Sequence, residues 1–223
     1  MISLGQLNDS KRNAIKLVRD VGLLGNFNNQ ITYPNTMPGE LRPLSYENAW
    51  KKCKQNSWFD IELDDSSLLI FKNDGYSYVR VPFFTLSFSD FAEEFYESDP
   101  EWREEENKHV ITEEYEKYLD SQLKTQPPMP VRFDIDSNYY CEHTHPLYHF
   151  HFGIENESRI PSNRELTPIS FTGFILRSFY PKEWKTFAES TELEKYLVHL
   201  KGNLDYVPPN YWNAYEPNLF YLG

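Results

Sequence analysis

The sequence predicts an α+β fold, with an antiparallel sheet over about residues 58–81 and 131–153 and with N- and C-terminal helices packed on one face. Apolar and polar residues alternate in the middle of the chain, which is typical of half-buried strands. Near both ends, apolar residues recur at helical spacing. The segment Asn73-Asp74-Gly75 is typical of a tight turn that joins two antiparallel strands.

The first predicted helix spans about residues 9–24, where Asp9 or Ser10 can act as the N-cap and the apolar residues follow a helical period. Turn-forming residues then predict a loop over residues 26–45. Ser45 is a favourable N-cap and predicts a short helix after it. The N-terminal part of the chain is therefore expected to contain two helices joined by a loop.

The middle of the chain predicts a β-meander over residues 57–83, followed by helical segments. Residues 90–109 contain nine acidic and two basic residues, which predicts an acidic insertion. Thr112 can cap the next helix, and the proline-rich residues 126–130 predict a stiff linker. We expect residues 1–223 to share one domain despite this internal boundary.

Residues 131–136 alternate strictly between apolar and polar side chains and predict a strand. Thr167 opens a predicted apolar helix, and Pro181 is expected at the first position of the next helical segment. Thr191 begins a capping-box pattern that predicts a last helix to about His199. These C-terminal helices complete the predicted α+β arrangement.

Composition restricts the class of protein. The net charge of −12 gives no general attraction to nucleic acid or to an anionic membrane, although residues 1–60 alone carry a net charge of +3. Cys53 and Cys141 lie far apart and are expected to be free thiols. No apolar run is long enough to span a membrane and no signal peptide is recognisable. We therefore expect a cytoplasmic protein with no membrane partner.

Histidines are concentrated in one segment, because four of the six fall within nine consecutive positions. They are His143, His145, His149 and His151. Residues 148–152 alternate aromatic and imidazole side chains, so a strand there would turn both imidazoles to one face. If this strand pairs with residues 131–136, Asp134 and Asp136 lie on the same face as the imidazoles.

The leading interpretation of this cluster is acid–base cleavage of a phosphodiester, with RNA as the expected substrate and no required cofactor. His149 and His151 would act as base and acid, while Asp134 or Asp136 would orient an imidazole. The side chains expected to bind the substrate phosphate are Arg159, Arg164, Arg177 and His145.

Two alternatives remain open. The cluster can bind a divalent metal ion, Zn²⁺ or Mn²⁺, because it contains the usual ligand types. The candidate ligands are Cys141, His143, His145, His149 and His151, together with Asp134 and Asp136. Alternatively, the histidines only stabilise the sheet, and the protein is a non-catalytic subunit that binds a protein partner through its aromatic surface and acidic insertion.

The run from His145 to Gly153, the segment Arg159-Ile160-Pro161 and the apolar helix that ends at Phe179-Tyr180-Pro181 together resemble an uncharacterised bacterial family of unknown function. The resemblance spans most of the chain and implies no activity. More loosely, the histidine-rich strand is similar to strands of small nuclease-like toxins in bacterial toxin–antitoxin and phage-defence loci. That similarity favours the nuclease interpretation by analogy.

Overall fold

Seven strands form one sheet in the computed structural model, which describes residues 2–29, 31–83, 86–98, 100–104, 107–121, 129–154 and 158–223. The strands are β1 (Leu24–Phe27), β2 (Ile61–Leu63), β3 (Leu68–Lys72), β4 (Gly75–Val79), β5 (Val131–Ile135), β6 (Tyr148–Phe152) and β7 (Ile160–Pro161). They lie side by side in sequence order, and each neighbouring pair is antiparallel.

Helices flank this sheet on both sides. They are α1 (Leu4–Val21), α2 (Met37–Leu41), α3 (Tyr46–Gln55), α4 (Phe88–Ser98), α5 (Lys108–Ser121), α6 (Pro168–Phe179) and α7 (Pro181–Ala188). The predicted α+β class with an antiparallel sheet is confirmed. The strands predicted within residues 58–81 and 131–153 are all present, and β1 and β7 extend the sheet at its two edges.

The N-terminal helix begins earlier than predicted. The Ser3 hydroxyl accepts a hydrogen bond from the Gln6 N–H, and the Gln6 side chain accepts one from the Ser3 N–H. This capping box starts α1 at Leu4, so the prediction of Asp9 or Ser10 as the cap was wrong. The loop predicted over residues 26–45 was also partly wrong, because it contains the end of β1 and all of α2.

One face of the sheet packs against α1, α6 and α7 in the main hydrophobic core. Leu17 and Val18 of α1 and Phe171 and Ile175 of α6 are fully buried there. The strands contribute large buried side chains that include Phe71, Tyr76, Phe133, Tyr148 and Phe150. Burial of each such side chain contributes about 1.5–3 kcal/mol, so this face fixes the orientation of every central strand. The predicted packing of both terminal helices on one face is confirmed.

The opposite face of the sheet is divided into an apolar part and a polar part. Over β2 and β3, Leu68 and Ile70 pack with Trp50 and Cys53 of α3 in a second apolar cluster. Ile70 lies opposite Ser77 of β4, and the same row continues through Arg132 of β5 to His151 of β6. Since cross-strand partners share a face, the polar side chains of β5 and β6 lie on this second face.

Between β4 and β5 the chain forms a helical arm, defined here as residues 88–121. It contains α4, a 3₁₀ turn at Pro100–Arg103 and α5. Phe91, Ile111 and Tyr115 belong to a third apolar cluster, confined to the arm. The described part of the predicted acidic insertion is therefore helical. Of the predicted linker over 126–130, residues 126–128 lie outside the described part, and Met129 and Pro130 precede β5.

The C-terminal helices follow the predicted starts, with a capping box at Thr167 and Pro181 at the first position of α7. The last predicted helix was wrong. Ser190 instead caps a 3₁₀ turn at Thr191–Lys195, and a π-helical turn follows at Val198–Gly202. Among the described residues, none of the helices has the length and apolar character that crossing a bilayer requires.

Candidate metal centre on strands β5 and β6

The register of β5 against β6 brings carboxylate and imidazole side chains together. Asp134 lies opposite His149, and Arg132 lies opposite His151. Both pairs lie on the sheet face away from α1 and α6, because the alternate residues Phe133 and Phe150 belong to the main core. The predicted pairing of these two segments, with coincident polar faces, is confirmed.

Asp134, His149 and His151 form a compact group. The Oδ2 atom of Asp134 lies 3.3 Å from Nε2 of His151 and 4.0 Å from Nε2 of His149. Their potential ligand atoms all lie within 4.8 Å of one another, a combination found once among the described His, Cys, Asp and Glu side chains. Two ligands of a tetrahedral Zn²⁺ at about 2.1 Å are about 3.4 Å apart. Contraction by roughly an ångström would therefore bring the three side chains around one ion.

His149 has the protonation and orientation of a metal ligand. Its Nδ1 lies 2.8 Å from the carbonyl oxygen of Pro146, which can only accept, so Nδ1 carries the proton. Nε2 then carries the lone pair on the side of Asp134. His149 is only 1% exposed, and burial lowers its pKa to about 4 despite the opposing charge of Asp134. The imidazole is therefore neutral at neutral pH, the form that binds metals.

His151 is 3% exposed, and its Nδ1 is buried without a hydrogen-bond partner among the described residues. Asp134 is half-buried and also accepts a hydrogen bond from Arg132 Nη2 at 2.9 Å. Burial alone would raise the pKa of Asp134, but the hydrogen bond from His151 and the positive charge of Arg132 lower it on balance. Asp134 is therefore a carboxylate at neutral pH and can neutralise a bound cation.

Asp136 and His145 extend the row of side chains towards solvent. Nε2 of His145 lies 3.4 Å from Oδ2 of Asp136, and its ring meets the His149 ring edge-on at 4.9 Å between centroids. On its other side the His145 ring stacks on Tyr139 at 6.3 Å, and Tyr139 is 73% exposed. The row therefore runs from the buried His149 and His151, through the partly buried His145 and Asp136, to the exposed Tyr139.

Two of the predicted metal ligands lie apart from this group. Cys141 and His145 exchange backbone hydrogen bonds across a tight turn, in which His143 has a φ of 72°. The His143 ring lies beside Tyr215, and the thiol of the exposed Cys141 lies 3.7 Å from the carbonyl oxygen of its neighbour Glu142. In the described structure, these two side chains belong to the turn and to the surface around it.

The predicted phosphate-binding arginines are placed differently from one another. Arg159 immediately precedes β7, the strand that pairs with β6. Arg164 donates to the carbonyl oxygen of Leu204 at 2.8 Å, with its guanidinium over the Tyr206 ring. Arg177 is exposed in the last turn of α6, on the other side of the sheet. The structure therefore brings Arg159 near the strands of the site and leaves the other two outside it.

Arg132 is the residue that the sequence reasoning missed. Its contact with Asp134 places a guanidinium directly beside the candidate ligands. The alternation of residues 131–136 indicates this position, because alternate residues of a strand share a face and Arg132 alternates with Asp134 and Asp136.

A model of an uncharacterised conserved protein family, DUF2290, matches residues 22–203. The matched residues include all seven strands and the candidate metal centre. Comparisons with curated proteins and with solved structures gave no match.

Proposed function

The chain belongs to the uncharacterised conserved protein family DUF2290, and from the geometry of β5 and β6 we propose that Asp134, His149 and His151 of this family member bind a divalent metal ion in a metal-dependent hydrolase. One observation carries the proposal. The buried, neutral imidazole of His149 directs a lone pair to the side of the Asp134 carboxylate, 4.0 Å away, with its other nitrogen fixed on Pro146. A lone pair and a carboxylate that face each other repel, and a cation between them attracts both.

The ligand chemistry indicates which ions fit. Two imidazoles and one carboxylate suit Zn²⁺, and the same set also suits Mn²⁺ or Fe²⁺. Three protein ligands leave a coordination position open, as in catalytic rather than structural zinc sites. A metal ion bound there would supply a water of lowered pKa as a nucleophile. For Nε2 of His151 to become a ligand, the imidazole proton would have to lie on Nδ1 rather than on the nitrogen that faces Asp134.

Burial also distinguishes this proposal from metal-free acid–base catalysis by His149 and His151. A general acid or base must itself come within hydrogen-bond distance of the substrate, and both imidazoles are at most 3% exposed. A bound ion would instead be reached from the side of Asp134, whose side chain is 29% exposed. In a ligand role, the same burial strengthens the interaction with a cation. Metal-free catalysis stays a prediction. Cleavage that continues in the presence of a chelator would favour metal-free catalysis, and cleavage that stops would favour the metal centre.

For the substrate, we propose a phosphodiester of RNA. Arg132 lies beside the ligand Asp134, where a guanidinium would contact a phosphate oxygen. The exposed ring of Tyr139 stacks on His145 at the outer edge and could stack on a nucleobase. The overall negative charge opposes RNA binding less than its size suggests, because the helical arm carries −10 of the −12. The rest of the chain has a net charge of only −2.

The helical arm favours a second candidate function, the binding of a basic protein partner. Residues 88–121 include thirteen acidic and three basic residues, and the described part of the arm has its own apolar cluster, separate from those on the two faces of the sheet. Such an arm can present a charged surface without disturbing the site on β5 and β6. Both functions are compatible, since they use different parts of the chain.

Metal content tests the proposal directly. The protein is purified without a histidine tag, treated with EDTA, and titrated with Zn²⁺ and Mn²⁺ by calorimetry. We expect one equivalent to bind, and RNA cleavage to depend on the added metal. Absence of stoichiometric binding by wild-type protein would refute the metal centre, whereas binding without RNA cleavage would refute only the proposed substrate.

A further inference from the structure

A cleft lies between α1 and the segment that follows β1. Its walls are partly apolar, because Leu4, Ile15 and Ile31 contribute to the lining. Asn8, Lys11 and Arg12 line it from α1, Asn29 and Thr32 line it from the segment, and Asp60 lies at its base. Its volume is about 540 Å³, within the range of about 300–1,000 Å³ that is typical of small-molecule sites. The proposed metal centre uses none of these residues.

The base of the cleft contains a buried ion pair. Asp60 is 2% exposed, and its Oδ1 accepts a hydrogen bond from Lys11 Nζ at 2.8 Å. Its Oδ2 accepts hydrogen bonds from the Tyr33 hydroxyl and from the Phe71 N–H. Both carboxylate oxygens are therefore already engaged, which leaves little capacity to bind a cationic ligand.

Lys11, by contrast, has hydrogen-bonding capacity left. Its ammonium group has three N–H donors, and Asp60 is the acceptor of its one hydrogen bond among the described residues. The side chain is held between Asp60 and the ring of Tyr33, 5.9 Å from the ring centroid. Because desolvation of an ion pair usually offsets much of its attraction, stability alone gives no clear reason for this pair at the base of a cleft.

The other lining groups also offer donors. Arg12 lies at the exposed rim of the cleft, with 65% of its side chain exposed. One of its nitrogens pairs with the Asp9 carboxylate, and in the described structure its guanidinium retains further N–H groups. The amides of Asn8 and Asn29 and the hydroxyl of Thr32 add neutral donors around the two cations. From this convergence of donors on a cleft with a satisfied carboxylate, we infer that the cleft binds the phosphate group of a small molecule.

This cleft is separate from the metal centre. It adjoins β1, at one edge of the sheet, whereas the metal centre lies on β5 and β6. Five strand spacings of about 4.8 Å separate β1 from β6, a distance of about 24 Å. The inference therefore does not depend on the proposed hydrolase function.

Calorimetric titration of the full chain in EDTA with inorganic phosphate, AMP and adenosine tests the inference. We expect phosphate and AMP to bind and adenosine to bind at least about tenfold more weakly than AMP, because adenosine lacks the phosphate oxygens that accept charge-assisted hydrogen bonds. Tighter binding of AMP than of phosphate would identify a nucleotide as the source of the phosphate group. Equal affinity would identify the free anion.

Variants locate the binding. Arg12→Gln and Lys11→Met should each weaken phosphate or AMP binding about tenfold or more, whereas Lys16→Gln on the exposed side of α1 should change it less than about twofold. If Lys11→Met does not fold because Asp60 is left unpaired, the binding measured for Arg12→Gln alone tests the inference. The inference is overturned if wild-type protein binds neither probe at 10 mM, if adenosine binds as well as AMP, or if Arg12→Gln binds like Lys16→Gln.

Discussion

Asp134 and His149 lie directly opposite each other on antiparallel strands, with Oδ2 of one 4.0 Å from Nε2 of the other. This relationship depends on the register of β5 against β6. A slip of one residue would turn His149 into the main core and bring Phe150 to the polar face. The large aromatic side chains of Phe133 and Phe150 oppose such a slip, since each would lose its buried position. Packing on one face of the sheet therefore fixes the chemistry on the other.

Removal of one imidazole should abolish tight metal binding. For His149→Gln or His151→Gln we expect Zn²⁺ affinity to fall at least about 100-fold, because loss of even an outer-sphere partner of a metal site costs about 10–100-fold. Calorimetric titration of EDTA-treated protein measures this. His143→Gln is the matched control, because its ring lies on the surface beside Tyr215, and its affinity should stay within about threefold of wild type.

If His143→Gln weakened Zn²⁺ binding as much as His149→Gln does, the ligands would belong to the turn at 141–145 rather than to the strand pair. In that case the original set of candidate ligands, with Cys141 and His143, would describe the site better than the group of Asp134, His149 and His151.

The sequence predicted the strand pair well because its signal is local and strong. Alternation over residues 131–136 and 148–152 gave both strands and the shared face of Asp134, His149 and His151. The burial of the imidazoles could not be predicted, because it depends on how distant segments cover the sheet. The positions of Arg164 and Arg177 could not be predicted for the same reason. Arg164 stacks on Tyr206, and Arg177 lies on the other side of the sheet. β1 and β7 were missed because strands of four and two residues contain too few positions for a period to appear.

The metal-free protein should lose stability as the pH falls from 6.5 to about 4. Burial lowers the pKa of His149 from 6.5 to about 4 in the folded state, so the unfolded chain binds more protons in this range. The contribution is fully present above pH 6.5 and is lost as the pH approaches 4. At about 1.4 kcal/mol per pKa unit the full loss is about 3.5 kcal/mol, of which about 2–3 kcal/mol falls between pH 7 and pH 4.5. Urea unfolding in EDTA at pH 7, 5.5 and 4.5 measures it.

The control for that experiment is His149→Gln, which removes the titrating group but keeps a side chain of similar polarity. Its free energy of unfolding should vary less with pH over the same range than that of wild type. Equal pH dependence in the two proteins would assign the acid sensitivity to other groups and contradict the buried, neutral state of His149.

A buried hydroxyl on the opposite face should contribute to global stability. Tyr180 donates to Oδ2 of Asp65 at 2.9 Å, and its hydroxyl lies 3.0 Å from that of Tyr78. Burial raises the pKa of Asp65, while the Ser67 N–H and the Tyr180 hydroxyl counteract that rise. Tyr180→Phe should lower the free energy of unfolding by about 1–3 kcal/mol, the cost of a buried polar group that loses a partner.

Denaturant unfolding measures that loss, with Tyr139→Phe as the matched control. Tyr139 is 73% exposed, so its variant should stay within about 0.5 kcal/mol of wild type. A Tyr180→Phe variant as stable as Tyr139→Phe would show that Asp65 is satisfied without this hydroxyl.

Gly75 connects the backbone of β4 to the metal centre, because it lies opposite Asp134 in the sheet. It has a φ of +151°, and an added Cβ would lie 2.5 Å from the carbonyl oxygen of Phe133 and 3.2 Å from Cα of Asp134. Gly75→Ala should therefore destabilise the fold by at least about 2 kcal/mol and displace β5 from β4. Zn²⁺ affinity should fall with it, because Asp134 moves with β5. Gly39→Ala is the control, since no atom of the described residues lies within 4 Å of its Cβ position in α2. It should leave stability unchanged or raise it by up to about 1 kcal/mol. A Gly75→Ala protein that loses stability yet binds Zn²⁺ like wild type would show that the ligand group tolerates movement of β5.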